Sequence, residues 1–397
     1  MTTDFDDSDG PVDPGQADAL PGGVGQTFDE GEGRIFPCDG CGADLKFHIG
    51  QQKLSCQFCG FVREIELSKE AVLEEQDFEA MLARVRDWRN ERNAKSVVES
   101  PEEKSEHQEL RCDSCGGNVE FIGTLTSTHC PYCGSPVQLE KAHKCKENRI
   151  PVDGVLPFQV ERRQAKQNLQ RWVDSRWFAP NRFRQQGAEG KFNGVYLSYY
   201  TFDAMTFTSY NGQRGDHYYV TVGTGKDKRR DRRTRWSFAS GRFQRFFDDV
   251  LVLANTGLRR DFMLKLEPWP LNQAVPFNQQ MLAGYLARTY DIELDTGFGK
   301  GKERIDAAIL REVKQRIGGD TQRVDTVDSR YDAITFKHLL LPVWLLAYAY
   351  GDKSYQVFIN AATGEVQGER PWSAVKIAFA VLGVLFVLGA AWAVSAK

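Results

Sequence analysis

The stretch Cys38-Asp-Gly-Cys41-Gly-Ala-Asp-Leu-Lys-Phe-His-Ile-Gly-Gln-Gln-Lys-Leu-Ser-Cys56-Gln-Phe-Cys59-Gly60 decides how the N-terminal third is read. Two Cys-x-x-Cys knuckles stand 14 residues apart, each followed by a glycine. A knuckle aims two thiolates at one point, and the glycine relieves its tight backbone. Two knuckles supply a closed tetrahedral shell of four sulfurs at about 2.3 Å. Such a shell leaves no position for water or substrate, so the metal is expected to be structural. The pattern returns as Cys112-Asp-Ser-Cys115 and Cys130-Pro-Tyr-Cys133, at a constant offset of 74. Asp39 then matches Asp113, Gly42 matches Gly116, Phe47 matches Phe121 and Gly60 matches Gly134. Self-similarity at a fixed offset is the mark of an internal duplication.

The expected cofactors are therefore two structural Zn2+, held by Cys38, Cys41, Cys56 and Cys59 and by Cys112, Cys115, Cys130 and Cys133. Disulfides are the competing reading; a reducing compartment and the doubled spacing weigh against them. Iron–sulfur ligation fits the knuckle glycines less well. Metal binding supplies folding energy on the order of 10 kcal/mol per site. Lys46 and Lys53 are placed to screen the formal charge of about −2 on the first site. The ninth cysteine, Cys145, reads as a free thiol in a basic linker, although His143 stands two residues before it.

Outward from the cysteines, the chain of 397 residues divides unevenly. Residues 1–33 carry nine acids and no Lys or Arg, which reads as a disordered acidic tail. The net charge of −3 then leaves +6 on residues 34–397, too little for a nucleic-acid coat. Hydrophobic residues at 41% and aromatics at 12% are enough for a sizeable core. The first ribbon is assigned to 34–62, a helical linker to 63–110, the second ribbon to 111–140 and a mixed α+β domain to 150–370. In the linker, Ser68 to Asn90 forms an amphipathic helix capped by Ser68, with Leu73, Phe78, Met81, Leu82, Val85 and Trp88 on one face.

In the α+β domain, Ala165, Leu169, Trp172 and Val173 mark one helix. Met281, Leu282 and Tyr285 mark a second. Ile305, Ile309, Val313 and Ile317 mark a third, ending at Gly318-Gly319. Hairpins are expected to turn at Asn211-Gly212 and Gly351-Asp352. Leu156-Pro157-Phe158 resembles Val275-Pro276-Phe277, and Gly194-Val195-Tyr196-Leu197 resembles Pro342-Val343-Trp344-Leu345. These matches suggest two related α+β halves.

No catalytic constellation is found: there is no HExxH and no GxSxG elbow. Gly223-Thr-Gly225-Lys226 and Gly297-Phe-Gly299-Lys-Gly301-Lys302 imitate phosphate loops. A Walker A motif needs Gly six residues before its Lys, where this chain has Val220 and Thr296. The run from Lys226 to Arg235 holds Lys226, Lys228, Arg229, Arg230, Arg232, Arg233 and Arg235. It reads as a solvated loop or as a contact for anionic lipid, with nucleic-acid phosphate the rival.

Ile377 to Val394 is 18 residues without a charge, about 27 Å as a helix and close to the hydrocarbon thickness. Lys376 and Trp372 precede it, and Trp392 lies near its end. A transmembrane helix over 375–394 is expected, against the alternative of a buried core helix. With no basic, apolar signal at the N-terminus, the chain would be a tail-anchored, single-pass protein with its soluble part in the cytoplasm.

Phe36-Pro-Cys38-Asp-Gly-Cys41-Gly, Leu54-Ser-Cys56-Gln-Phe-Cys59-Gly, Gly194-Val-Tyr-Leu, Arg245-Phe-Phe-Asp-Asp249-Val, Phe336-Lys-His-Leu-Leu-Leu-Pro342-Val-Trp and Asn360-Ala-Ala-Thr-Gly364-Glu-Val-Gln-Gly-Glu-Arg370-Pro carry a resemblance over residues 35–376. The chain resembles a bacterial family of TFIIB-type double zinc-ribbon membrane proteins, often labelled primosomal protein N′-like. The resemblance implies a scaffold at the bacterial inner membrane, with SPFH-domain or TPM-domain membrane proteins as partners and a link to envelope stress. It carries the two cysteine sets over as zinc ligands and carries over no helicase, since motor motifs are absent. The expectation is a non-enzymatic membrane adaptor without a small-molecule substrate; the alternative is a membrane-tethered nucleic-acid-binding protein.

Overall fold

The structure, a computed structural model, describes residues 38–43, 45–49, 53–65, 73–96, 149–181, 191–224, 228–350 and 353–395, with short strand segments before residue 34 and between 107 and 144. Helix and strand are mixed throughout. Strands β1 (Phe28–Asp29) and β2 (Glu32–Gly33) pair with each other. Strands β3 (Leu45–His48), β4 (Lys53–Cys56) and β5 (Val62–Arg63) form the antiparallel sheet of the first cysteine module. Strand β6 (Gln76–Asp77) leads into helix α1 (Phe78–Ser96). Then come β7 (His107–Arg111), β8 (Asn118–Ile122), β9 (Ser127–His129), β10 (Pro136–Gln138) and β11 (His143–Lys144). In β4–β5, Leu54 faces Arg63 and Ser55 faces Val62. In β9–β10, Thr128 faces Val137 and His129 faces Pro136, the same register moved by 74 residues. Cys112, Cys115, Cys130, Cys133 and Cys145, like residues 1–27 of the acidic tail, lie outside the described residues.

Among the described residues nine strands make the main sheet, β6 joining it by pairing with strand β17 (Thr321–Tyr350). In chain order come β12 (Gly154–Val155), helix α2 (Arg162–Asp174), β13 (Lys191–Val222), β14 (Arg229–Leu253) and helix α3 (Arg260–Lys265). They are followed by β15 (Val275–Pro276), β16 (Leu286–Arg288), helix α4 (Leu294–Ile317), β17 (Thr321–Tyr350), β18 (Lys353–Asn360), β19 (Val366–Gly368) and helix α5 (Ala374–Ser395). The centre is an antiparallel ribbon in the order β14-β13-β17. The segments matched in the sequence lie side by side: Val195 faces Val343, and Val155 faces Val275. Leading strands cross over, since β12 runs parallel to β17 and β16 runs parallel to β13.

Alternation along β13 divides the core into two faces. On one face α2 buries Ala165, Leu169, Trp172 and Val173 against Phe192, Tyr196 and Trp344. Further along that face, Phe78 and Met81 of α1 and Leu294 of α4 cover Tyr200 and Phe202. On the other face, Met263, Leu266 and Trp269 cover Val195, Leu197 and Tyr199. Helix α4 then follows the ribbon outward, packing Ile305, Ile309, Val313 and Ile317 on Phe247. Register shifts on both sides of Asp203 mark two bulges, with Asp249 and Ala333 each at φ 49°.

Three expectations are corrected. Asn211-Gly212 does not turn: β13 continues to Val222, clamped between β14 and β17. The ladder on both edges outweighs the local turn preference, and a Cβ at Gly212 would overlap the Arg323 carbonyl oxygen. Met281, Leu282 and Tyr285 do not share a helix; Gln279–Leu282 is a single 3-10 turn before β16. The helix of the linker starts at Phe78, its first turn capped by Asp77 Oδ1 accepting from Ala80 N at 2.7 Å. Ser68 lies outside the described residues. Gly351-Asp352 does fall between β17 and β18, Gly318 follows α4 at φ 69°, and Thr363-Gly364 turns with Gly364 at φ 85°.

Among the described residues, no helix is long and apolar enough to cross a membrane. In α5 the segment from Ile377 to Gly389 is uncharged, about 20 Å of helix. Within that stretch the apolar side chains are exposed, including Phe379, Leu382, Phe386 and Leu388.

Candidate metal centre

Cys38, Cys41, Cys56 and Cys59 converge, their sulfurs all within 4.8 Å of one another. Cys38 Sγ lies 3.4 Å from Cys59 Sγ, and Cys41 Sγ lies 3.5 Å from Cys56 Sγ. A disulfide needs about 2.05 Å. Four thiolates at about 2.3 Å from one tetrahedral ion stand about 3.8 Å apart, so the set fits one zinc ion. The backbone builds this convergence. Gly42 N donates to Cys38 O at 2.8 Å and Gly60 N donates to Cys56 O at 3.1 Å, closing each knuckle. Gly42 and Gly60 stand at φ 72° and 75°, which a side chain would strain.

The sulfurs are electrostatically unequal. Backbone N–H groups of Cys59 and Phe58 pull the Cys56 thiol down to about 6. The Phe61 N–H pulls on Cys59, but the neighbouring sulfurs of Cys38 and Cys41 push it up to about 12. Without a cation the four sulfurs resist shared ionisation; a divalent ion removes that conflict. Lys53 is engaged by Glu64 at 2.6 Å and Lys46 reaches Gln57 at 3.4 Å, so neither lysine is directed at the sulfurs.

The module is fixed to the main body. Leu45, Phe47, Leu54, Cys38 and Cys56 join the same apolar cluster as Phe158, Tyr196 and Trp344. Phe47 N donates to Ala283 O at 3.1 Å, which ties β3 to the 3-10 turn. A cleft of about 580 Å³ remains between them, lined by Lys46, Gln57, Arg162, Phe192, Tyr285 and Trp344.

Two further polar groupings were not recognised from sequence. At the bulges, Asp203, Asp248 and Asp249 converge. Lys337 Nζ lies 3.4 Å from Asp203 and 3.1 Å from Asp249, and it donates to Glu75 at 3.2 Å. Burial pushes the Asp203 carboxyl up to about 6. The lysine ammonium thus neutralises two of the three carboxylates, Asp203 and Asp249. Deeper in the sheet, His338 Nε2 lies 3.2 Å from Ser198 Oγ, and Ser198 Oγ donates to Arg288 O at 2.8 Å. Burial lowers the His338 imidazole to about 4. The pair imitates a nucleophile and its base, but both side chains are sealed in the core and the hydroxyl is spent on a carbonyl. Asp248-Asp249 and Lys337-His338 were visible as motifs; their meeting depends on bulges no local pattern announced.

The other sequence candidates are dispersed. Arg229, Arg230, Arg232, Arg233 and Arg235 lie within β14, paired to β13 near its tip, and not in a loop. Lys228 is exposed just before β14, and Lys226 lies outside the described residues. Gly297, Gly299 and Gly301 sit inside helix α4, where no phosphate loop exists.

The chain is similar to the uncharacterized protein YdjG of Bacillus subtilis (strain 168), 25% identical over 240 residues that cover 56% of this chain and 65% of the relative. The match thus spans just under two-thirds of that relative's length. No protein family matches the chain, and no solved structure matches it.

Proposed function

We propose that the chain is a non-enzymatic membrane adaptor, anchored by α5, whose zinc ribbons present a surface to protein partners. The observation that carries this reading is α5. From Ile377 onward its sequence has no charge up to Val394, and its described apolar side chains are exposed. A helix apolar on all sides is stable in lipid and not in water. The setting of its first turn supports the reading. Lys376 Nζ donates to the Ala179 carbonyl at 2.8 Å and the Trp177 carbonyl at 3.2 Å. Trp177 and Trp372 stand exposed beside it, and Arg370 lies over the Trp372 ring at 4.4 Å. Indole and cationic groups at one level suit a membrane interface.

The repeated register of β9–β10 supports a second ribbon, with Cys112, Cys115, Cys130 and Cys133 as the proposed second set and two zinc ions per chain. The side-by-side segments around Val195 and Val343 support a duplicated α+β architecture. The resemblance supplies the partner class, SPFH-domain or TPM-domain membrane proteins at the bacterial inner membrane, with the body on the cytoplasmic side. Fractionation tests the anchor. The full chain stays with membranes through an alkaline wash, and replacing Val381, Leu385 and Leu388 with Arg releases it, since each Arg at mid-membrane costs about 2.5–3.5 kcal/mol. Extraction of the unaltered chain by the wash sinks the anchor. Affinity purification from detergent after nuclease treatment tests the adaptor: an SPFH- or TPM-domain protein is retained, and its absence removes the partner assignment.

A further inference from the structure

Helix α4 covers only one face of the long ribbon, and the other face carries an ordered pattern. Along β14, Arg230, Arg232, Trp236, Phe238, Arg242 and Phe246 alternate on the face opposite Phe243 and Phe247, which meet α4. Cross-strand partners extend the pattern. Tyr219 faces Arg232, and on β17 Arg323 and Arg330 face Gln213 and Phe207. Guanidinium groups lie over the rings: Arg323 over Trp236 at 4.1 Å, Arg330 over Phe207 at 5.0 Å and Arg230 over Tyr219 at 5.5 Å. Phe238 is 75% exposed, Tyr219 61% and Phe246 54%. From Arg230 to Phe246 the stripe runs about 50 Å at the rise of a strand. Exposed rings in a row mark an interaction surface.

We infer that this stripe binds single-stranded nucleic acid, with bases stacked on its rings and phosphates held by its arginines. Rings spaced along a basic sheet face are the physical requirement for sequence-tolerant binding of an unpaired strand. A stripe this long suits on the order of ten nucleotides. Anionic lipid is the less favoured ligand on geometric grounds. The base of α5 contacts the loop after α2, through Ser373 N donating to Phe178 O at 2.8 Å. That loop follows a helix on the face the stripe does not occupy. Tyr219 is also 27 residues along β13 from Phe192, where α2 packs, up to about 90 Å of strand.

The test uses the full chain in nanodiscs of zwitterionic lipid and a fluorescein-labelled oligothymidylate, read by anisotropy across a salt series. Binding is expected to weaken with salt. Phe238→Ser lowers affinity roughly fivefold or more and leaves the salt slope unchanged, because it removes stacking. Arg232→Ser with Arg242→Ser lowers affinity and makes the slope shallower by about 1.4, the value for two phosphates on a single strand. Arg311→Ser, an exposed change on α4, leaves both unchanged. No oligonucleotide binding, or binding indifferent to the stripe variants, overturns the inference. So does binding of phosphatidylglycerol vesicles through the same residues with none to the oligonucleotide; that result moves the stripe to the membrane surface.

Discussion

At the scale of single residues, the cysteine knuckles were legible because their chemistry is local. Spacing alone brought Cys38, Cys41, Cys56 and Cys59 together, close enough to hold one metal ion, and the glycines at φ 72° and 75° sit where the tight turns required them. Cys41→Ser is expected to remove one zinc equivalent and to loosen the first ribbon, since metal binding contributes on the order of 10 kcal/mol to such modules. Elemental analysis of the purified variant against the unaltered chain checks this. His338 was not legible, because its burial comes from strands distant in sequence. Its folded value of about 4 lies below the ordinary 6.5, so the unfolded chain binds the extra proton first. Stability from this residue is present above about pH 6.5 and falls as pH drops toward 4, by on the order of 3 kcal/mol. Asp203 acts oppositely: its folded value near 6 exceeds 3.8, so it favours the folded state as pH falls through 6. Urea midpoints of the detergent-solubilised chain across this range, compared with His338→Gln, isolate the imidazole. Parallel curves for the two proteins refute it.

At the scale of elements, helices with a clear apolar face were read well. Helix α2 and the latter half of α4 bury the residues their periodicity marked. The opening glycines of α4 imitate a phosphate loop only in composition, and Thr296 already excludes one. Their real role is spacing. A Cβ on Gly297 would crowd the Tyr200 ring at 2.8 Å, and one on Gly301 would meet Phe202 at 3.0 Å, whereas Gly299 faces open space. Gly301→Ala should therefore destabilise by about 1–3 kcal/mol through overpacking. Gly299→Ala should stabilise by about 1 kcal/mol through helix propensity. Thermal melts of the two variants shifting in the same direction would contradict this account. The strands were read too short for a related reason. Asn211-Gly212 is a hairpin signal only when the chain is free to turn, and two flanking ladders hold it extended.

At the scale of the molecule, mixed helix and strand content was legible from alternating patterns, whereas the length of the ribbon was not. The basic residues from Arg229 to Arg235 look like a loop to a local reading. They remain strand because cross-strand pairing, with Arg230 over Tyr219 on one face and Arg235 over Tyr218 on the other, stabilises a hairpin without a core. The crossing of leading strands has a consequence for biosynthesis. Residue 191 meets residue 347, and residue 154 meets residue 339. On a ribosome adding about 5–20 residues per second, the first of these pairs waits on the order of ten seconds for its second member. Until then β13 has only β14 and the short β16 as partners, and the edge that β17 will take stays open to any passing strand. The nascent chain is therefore at its most vulnerable to misassembly until β17 has been made, and a chaperone that covers that edge would raise the yield of correctly paired protein.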